Sequence, residues 1–414
     1  MLKPSYQFSL LSLSILSSFA IDAYAIPTNR HVVVAPQCLL NKLSAPMKTL
    51  ATQASLTLIE TNDQGIDALV EAKTIRSKTP CGGFMDVSDT WNEYTGKFSK
   101  ESDKASHFLK QYVNTPETAR KPANYSIRYE TTVNQLLKNV QQENIWANLT
   151  AFSNTSKGNF PDRYANSDNG VKAAEWLKNK IDVLAKEHNR TDISTYMVAT
   201  MNYKQPSVVV KIGTSNEPGI VIGGHMDTLS SSWGVKPGAD DDGSGSMTVM
   251  EVARTLITSG VQFKKPIYIM WYAAEELGLY GSKAVVKEFK NKKIPVDSVL
   301  QMDMTGYPDK FYPNTIWLVT DYVNPALTDF LESLIKTYVK QPVGRTRCGY
   351  ACSDHASWTN GGFKAAFPFE ASFNNDNPDV HTSQDTIDHL SLSHMTDYAK
   401  LGVAFAVELA EPVV

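Results

Sequence analysis

Apolar and polar positions follow two different regimes along this chain. From about residue 124 onward, short apolar runs alternate with amphipathic stretches. Val171, Ala174, Leu177, Ile181 and Leu184 recur at helical spacing, which predicts a helix with one buried face. Apolar runs at 207–212, 220–224, 267–273, 299–304, 316–320 and 363–369 have the length of strands. Between them, 243–257, 279–289 and 326–339 read as helices, the last with Leu327, Phe330, Leu331, Leu334 and Ile335 on one face; a helix over 395–409 closes the chain. Strands alternating with helices predict an α/β fold, a mixed, largely parallel central sheet flanked by helices on both faces.

Residues 26–123 follow another pattern. They hold one β-like run at 31–34, then helical stretches, then a turn-rich segment at 79–83; the segment 101–125 is polar, contains Pro116 and Lys121-Pro122, and reads as an exposed connection. Such a region is either a removable pro-region or a permanent accessory domain, which makes 124–414 the catalytic domain. Ahead of it, Lys3, the short apolar stretch 10–20 and Ala23-Tyr24-Ala25 have the layout of a signal peptide over 1–25, cut after Ala25. The apolar core is too short for a comfortable membrane anchor. The chain is therefore expected outside the cytoplasm, secreted or periplasmic. An exported chain with an even number of cysteines suggests disulfides, Cys348 with Cys352 and Cys38 with Cys81. The competing reading of Cys348 and Cys352 is a zinc site, but no second pair of soft ligands lies near them.

The formal net charge of -3 leaves no basic excess for nucleic acid or an anionic membrane. The informative charges are local, where apolar runs end. His225 and Asp227 follow 220–224, Asp240-Asp241-Asp242 lies in a Gly-rich loop, Glu275-Glu276 follows 267–274, Asp303 ends the run at 299–302, and His381 lies beyond 363–369. Taken singly, such residues are usually hydrogen-bonders, solvated helix starts or turn caps. Taken together, they end successive strands in groups whose mutual repulsion needs a counter-charge, and open α/β sheets place their sites there. A divalent metal pair supplies that charge, and imidazole with carboxylate and no thiolate suits zinc.

In order and spacing, Gly223-Gly224-His225-Met226-Asp227, the stretch from Pro237 to Gly245, Ala273-Ala274-Glu275-Glu276-Leu277-Gly278, Gln301-Met302-Asp303-Met304, the stretch from Cys348 to Trp358 and Val380-His381-Thr382 resemble the bacterial leucyl aminopeptidase family, secreted dizinc exopeptidases. The resemblance covers about residues 140–410. It implies two Zn2+ per chain, one on His225 and Asp303, one on Glu276 and His381, with Asp241 bridging. It implies Glu275 as general base, Tyr350 as oxyanion donor, Asp227 as the group that orients His225, and a cis peptide between Asp241 and Asp242. The expected substrates are peptides with a free N-terminus, and the expected state is a monomer.

In that family the pocket for the first side chain is apolar; here Met304, Val319, Phe367, Phe369, Phe373 and Val380 fall at the corresponding positions, beside the Cys348–Cys352 loop. That suggests a bulky apolar first residue. Asp376 stands where an aromatic is usual. It either faces solvent in a polar loop or receives a lysine or arginine head at the end of the slot. A carboxypeptidase or deacylase would need a cation for the substrate carboxylate, and a two-metal phosphatase or nuclease would need cations for phosphate; no Arg accompanies the motifs after Phe367. A receptor or adhesin on this fold need not keep every ligand position filled.

Overall fold

The computed structural model describes residues 29–413, apart from 45–46, 76–80, 95, 114–118, 120, 154–157 and 231–233. The signal-peptide segment 1–25, and Thr79 and Pro80 of the turn-rich stretch, lie outside the described residues.

The N-terminal part is richer in strands than its sequence suggests. β1 (His31–Pro36), β2 (Lys48–Gln53), β3 (Leu56–Thr61) and β4 (Met85–Asp86) form one sheet in the order β2-β3-β1-β4. β1 is buried along its whole length. β2 and β3 are short and half-exposed at their ends, so their alternation is hard to see in sequence. The helix Asp63–Lys73 follows, capped by the Asn62 side chain, which accepts from Gly65 N–H. The expectation of an exposed connection over 101–125 fails in its first half. Glu101–Tyr112 is a helix that buries Ala105, Phe108, Leu109 and Tyr112 against Trp91 and β3, a 3.6-residue stripe diluted by the charged outer face.

The rest is the expected α/β body. β5 (Ile193–Val198), β6 (Ser207–Ile212), β7 (Gly219–His225), β8 (Ile267–Tyr272) and β9 (Val296–Gln301) lie in one sheet. β10 (Ile316–Val319) and β11 (Val343–Thr346) lie in a second, smaller one. The run at 363–369 is not one strand. It splits into β12 (Ala365–Ala366), which joins the large sheet beside β9, and β13 (Pro368–Phe369), which joins β10. The apolar character of 365–369 reflects passage between two sheets, both buried. The large sheet runs β12-β9-β7-β8-β6-β5, parallel from β12 to β8 and antiparallel from β8 to β5.

β8 shows why this sheet needs cover on both sides. Ile267, Ile269 and Trp271 pack with the helices Asp168–Glu187, Gly245–Ser259 and Leu392–Ala410. Tyr268, Met270 and Tyr272 pack with Tyr280–Asn291 and His355–Asn360 on the other face. Alternate side chains point to opposite faces, and each large apolar side chain buried contributes about 1.5–3 kcal/mol. The strands most central to this packing, β7, β8 and β9, run parallel and end at the same edge. No helix of the described residues is long and apolar enough to cross a membrane.

Candidate functional site

At the common edge of β7, β8 and β9 each strand delivers polar residues at or just past its last paired position. β7 ends at His225, with Asp227 two residues on. β8 leads through Ala273 and Ala274 to Glu275 and Glu276, and β9 through Met302 to Asp303. Ala274 (φ 51°), Met304 (φ 57°) and His381 (φ 63°) take left-handed backbone conformations that side-chain-bearing residues rarely adopt. Three such residues beside the charged cluster mark a backbone bent to aim side chains.

The predicted ligands converge as two triads sharing one residue. His225 Nε2 lies 3.0 Å from Asp241 Oδ1 and 3.6 Å from Asp303 Oδ1. His381 Nε2 lies 2.9 Å from Asp241 Oδ2 and 3.2 Å from Glu276 Oε2. In each triad the donor atoms all fall within 4.8 Å of one another. Asp241 thus gives one oxygen to each imidazole, the arrangement a bridging carboxylate needs. Glu275 and Tyr350 line the same cavity.

The electrostatics of the cluster suit cations. Burial opposes charging His225, but Asp303, Asp227 and Asp241 outweigh it and raise its pKa well above the usual value. For His381, burial is again overcome, chiefly by Glu276 and Asp241, and its pKa is pushed up to about 9. Burial pushes the Glu275 carboxyl well above the usual range, with Glu276 adding to it. A field that draws protons onto two imidazoles also draws divalent metal, and two imidazoles with oxygen donors and no thiolate fit zinc.

Several residues that hold this geometry carry no signal that sequence reading picked up. Asp242 lies beneath the strand ends; its Oδ2 accepts from His225 N–H (3.0 Å), and its Oδ1 from Gly245 N–H (2.9 Å) and Met304 N–H (3.0 Å). Gly224 and Gly245 make room for it, since a Cβ at either would meet Asp242 or the Met302 carbonyl at 2.2–2.7 Å. The Asp241–Asp242 peptide is cis, as the resemblance implies. Asp385 accepts from the N–H groups of Asp240 and Asp241 at 2.9 and 3.1 Å. Ser353 Oγ donates to Asp303 Oδ2 at 2.5 Å. Arg163, wholly buried, donates to the carbonyls of Met226, Pro237 and Gly238, tying the His225 and Asp241 loops together. Asp242 and Ser353 sit inside motifs already singled out; Arg163 lies in a stretch with no pattern.

Asp227 does more than expected of it. Its Oδ1 is 3.5 Å from His225 Nδ1, and its two oxygens also accept from Glu275 N–H (3.0 Å) and Glu276 N–H (3.2 Å). One carboxylate therefore joins the turn after β7 to the turn after β8.

Beside the triads is a cavity of about 170 Å³ lined by Met304, Phe367, Phe369, Phe373, Asp376 and Val380, among others. Val319 is not on its wall. It is fully buried and packs with Met304, Val323, Phe367 and Phe369 behind the cavity. Asp376 does not face solvent. It is 7% exposed, accepts from Asn374 N–H at 2.9 Å, and burial pushes its carboxyl up to about 6. Cys348 and Cys352 are bonded to each other, which removes the zinc reading of that pair, and Cys38 is bonded to Cys81.

The N-terminal part reaches this site, where a pro-region lying across the cleft would be expected. Lys73, the last residue of its helix, pairs with Glu276 Oε2 and donates to the Glu276 carbonyl at 3.1 Å. Gly82 and Gly83 press against the rings of His381 and Tyr350, where a Cβ would come within 2.9 and 2.5 Å.

Residues 207–406 match the model of peptidase family M28. Leucine aminopeptidase 1 of Metarhizium robertsii is 38% identical over 287 residues, 67% of this chain and 72% of that protein. Among solved structures, the LapA aminopeptidase of Legionella pneumophila is 42% identical with a TM-score of 0.80, covering 94% of this chain and all of that one. LapB from the same organism is 36% identical with a TM-score of 0.79, covering 92% of this chain and all of that one.

Proposed function

From the premise that the chain belongs to peptidase family M28 and is a metallo-aminopeptidase of the leucyl aminopeptidase kind, we propose that it is exported after loss of residues 1–25 and, as a monomer, removes N-terminal residues from peptides with two zinc ions. The observation that carries this reading is the division of Asp241, one oxygen toward each imidazole. His225 and Asp303 would hold one ion, and Glu276 and His381 the other. When bound, the pair supplies Lewis-acid polarisation of the scissile carbonyl and acidifies water.

The chain's own residues do the remainder. Glu275 takes a proton from the attacking water as the oxygen adds to the carbonyl carbon, then passes it to the departing amine as the C–N bond breaks. Burial, which raises the affinity of Glu275 for a proton, suits it to hold that proton between the two events. The Tyr350 hydroxyl donates to the oxyanion; burial keeps it protonated across the working range. Asp227 holds the Glu275 turn and the His225 ring in one register. The substrate's free α-amine is drawn to the carboxylates, which excludes a chain interior.

The apolar wall of Met304, Phe367, Phe369, Phe373 and Val380 favours a bulky first residue, while Asp376 among them gives a lysine or arginine head a partner. With a carboxyl near 6, Asp376 is charged above that pH, so preference for basic over apolar first residues grows as pH rises through 6. The N-terminal layer, lying over His381 and Tyr350, serves on this reading as a pro-region.

A panel of leucyl, phenylalanyl, lysyl and arginyl p-nitroanilides, run with and without a chelator, tests the whole. Turnover should vanish on chelation and return with zinc. Asp376→Asn should lower kcat/KM for the lysyl substrate about tenfold, the order of one charge-assisted bond, and spare the leucyl one. Full activity after exhaustive metal removal would end the metal reading; an unchanged lysyl-to-leucyl ratio would end the role of Asp376.

A further inference from the structure

Lys73 stands out among the cations of the N-terminal layer. Its side chain is 3% exposed, and that of Glu276, its partner, is 2% exposed. The oxygen it pairs with is Glu276 Oε2, the same oxygen that lies 3.2 Å from His381 Nε2. Glu276 is one of the three residues of the Asp241–Glu276–His381 triad. The ammonium donates in addition to the Glu276 backbone carbonyl at 3.1 Å, so it is fixed to this residue at two points. Nearby, Lys42 Nζ donates to the carbonyls of Ile75 and Cys81, at 2.9 and 3.4 Å.

We propose that Lys73 is a cationic latch: its ammonium takes from the second triad the oxygen that triad needs for metal, so the closed N-terminal layer weakens metal binding at Glu276 and His381 while leaving the His225–Asp303 half alone. The inference rests on the two-metal reading above and adds to it how the layer restrains the site. The physical basis is exclusion. A metal ion and an ammonium brought onto one carboxylate oxygen in a buried site repel each other, and a lysine left there without its counter-charge is strongly disfavoured. Metal arriving at Glu276 therefore expels Lys73, and with it the end of the helix Asp63–Lys73. The coupling is reciprocal: whatever the layer costs the metal in affinity, the metal costs the layer in hold. Lys73 is ion-paired to Glu276 and to none of the donors of the His225 triad, His225, Asp241 and Asp303, so the two halves load unequally.

The test uses the full chain, metal-free, as wild type and as Lys73→Met, which keeps the length and the apolar stem. Zinc is titrated in by calorimetry. In the wild type the second equivalent should bind at least about tenfold more weakly than in the variant, as expected when nine molecules in ten are latched; the first should bind alike in both. Limited chymotryptic digestion of the wild type alone supplies a readout that does not depend on the variant folding. Zinc should speed cleavage within residues 29–113 and should leave the rate unchanged in Lys73→Met. Two equal zinc constants in both proteins, or cleavage indifferent to zinc in the wild type, would overturn the latch while sparing the two-metal site. Failure of either protein to take up a second equivalent would instead remove the two-metal reading, and the latch with it.

Discussion

The body and the N-terminal layer are held together by different forces. In the body, β7, β8 and β9 bury both faces, and their position is dictated by apolar side chains that have nowhere else to go. The layer shares a core with the body, in which Val32, Val34, Leu58, Met85 and Trp91 meet Leu279, Tyr322, Tyr350 and Ala351. Around that shared core, however, the attachment is polar. Asp86 accepts from the Tyr280 hydroxyl, Lys283 Nζ donates to the Asp86 carbonyl at 2.5 Å, and Lys73 pairs with Glu276; within the layer, His31 backs these contacts by pairing with Asp86 at 2.6 Å and with Asp63 at 2.8 Å. Apolar contact hardly responds to pH or to ions, whereas charged contact responds to both. The body is thus built to keep its shape, and the layer to keep its place only under stated conditions.

The sharpest way to break this contrast lies in the body. Glu275→Gln should lower kcat by about 10²- to 10⁴-fold, the range expected for a general acid–base group. Zinc content and melting temperature should stay near those of the wild type, since Glu275 is absent from both triads. Residual turnover within a few-fold of wild type would show that the chemistry is done elsewhere.

Next in size is a change on the layer's side of the shared core. Leu58 is fully buried there, and Leu58→Ala should cost about 2–5 kcal/mol. Hydrogen exchange should quicken in β1–β4 and stay slow in β7–β9, while turnover by the full chain rises. Equal loss of protection in both regions would mean that they unfold as one unit, and the contrast would be gone.

The smallest effect is a pH dependence. The hydrogen bond to Asp86, aided by Asp63, raises the pKa of His31 above its ordinary 6.5. The stabilisation this gives is fully present below 6.5 and is lost as pH rises through the raised value in the folded protein. The facing groups are Asp63 and Asp86 of the layer and Tyr280 of the body. Exchange in β1 should therefore quicken toward alkaline pH in the wild type, and the dependence should flatten in His31→Asn. A dependence of the same steepness in that variant would assign it to another group.

How far sequence carried this picture follows from what each residue must do. Strands such as Ser207–Ile212 and Ile267–Tyr272 were legible because they are apolar at every core position. Of the five proposed ligand residues, His225, Glu276 and Asp303 were legible because they follow apolar runs, while Asp241 and His381, in loops, were legible only through the order of motifs that carries the family resemblance. The passage at 363–369 was read as one strand because a segment crossing between two buried sheets looks the same as a segment lying in one. The helix Glu101–Tyr112 was hidden by its charged outer face. Lys73 could not be found from sequence at all, since its partner is 203 positions away and belongs to another core. The burial of Asp376 was likewise decided by the loop that folds over it, not by its neighbours in the chain.

Asp242 has a consequence of its own. Its carboxylate gathers N–H groups from His225, Gly245 and Met304, positions 17, 3 and 62 residues away. Alignment of the two halves of the centre is thereby inherited from a single side chain rather than negotiated strand by strand. A shift of that one side chain would therefore disturb the turn after β7, the turn after β9 and the start of the helix Gly245–Ser259 together.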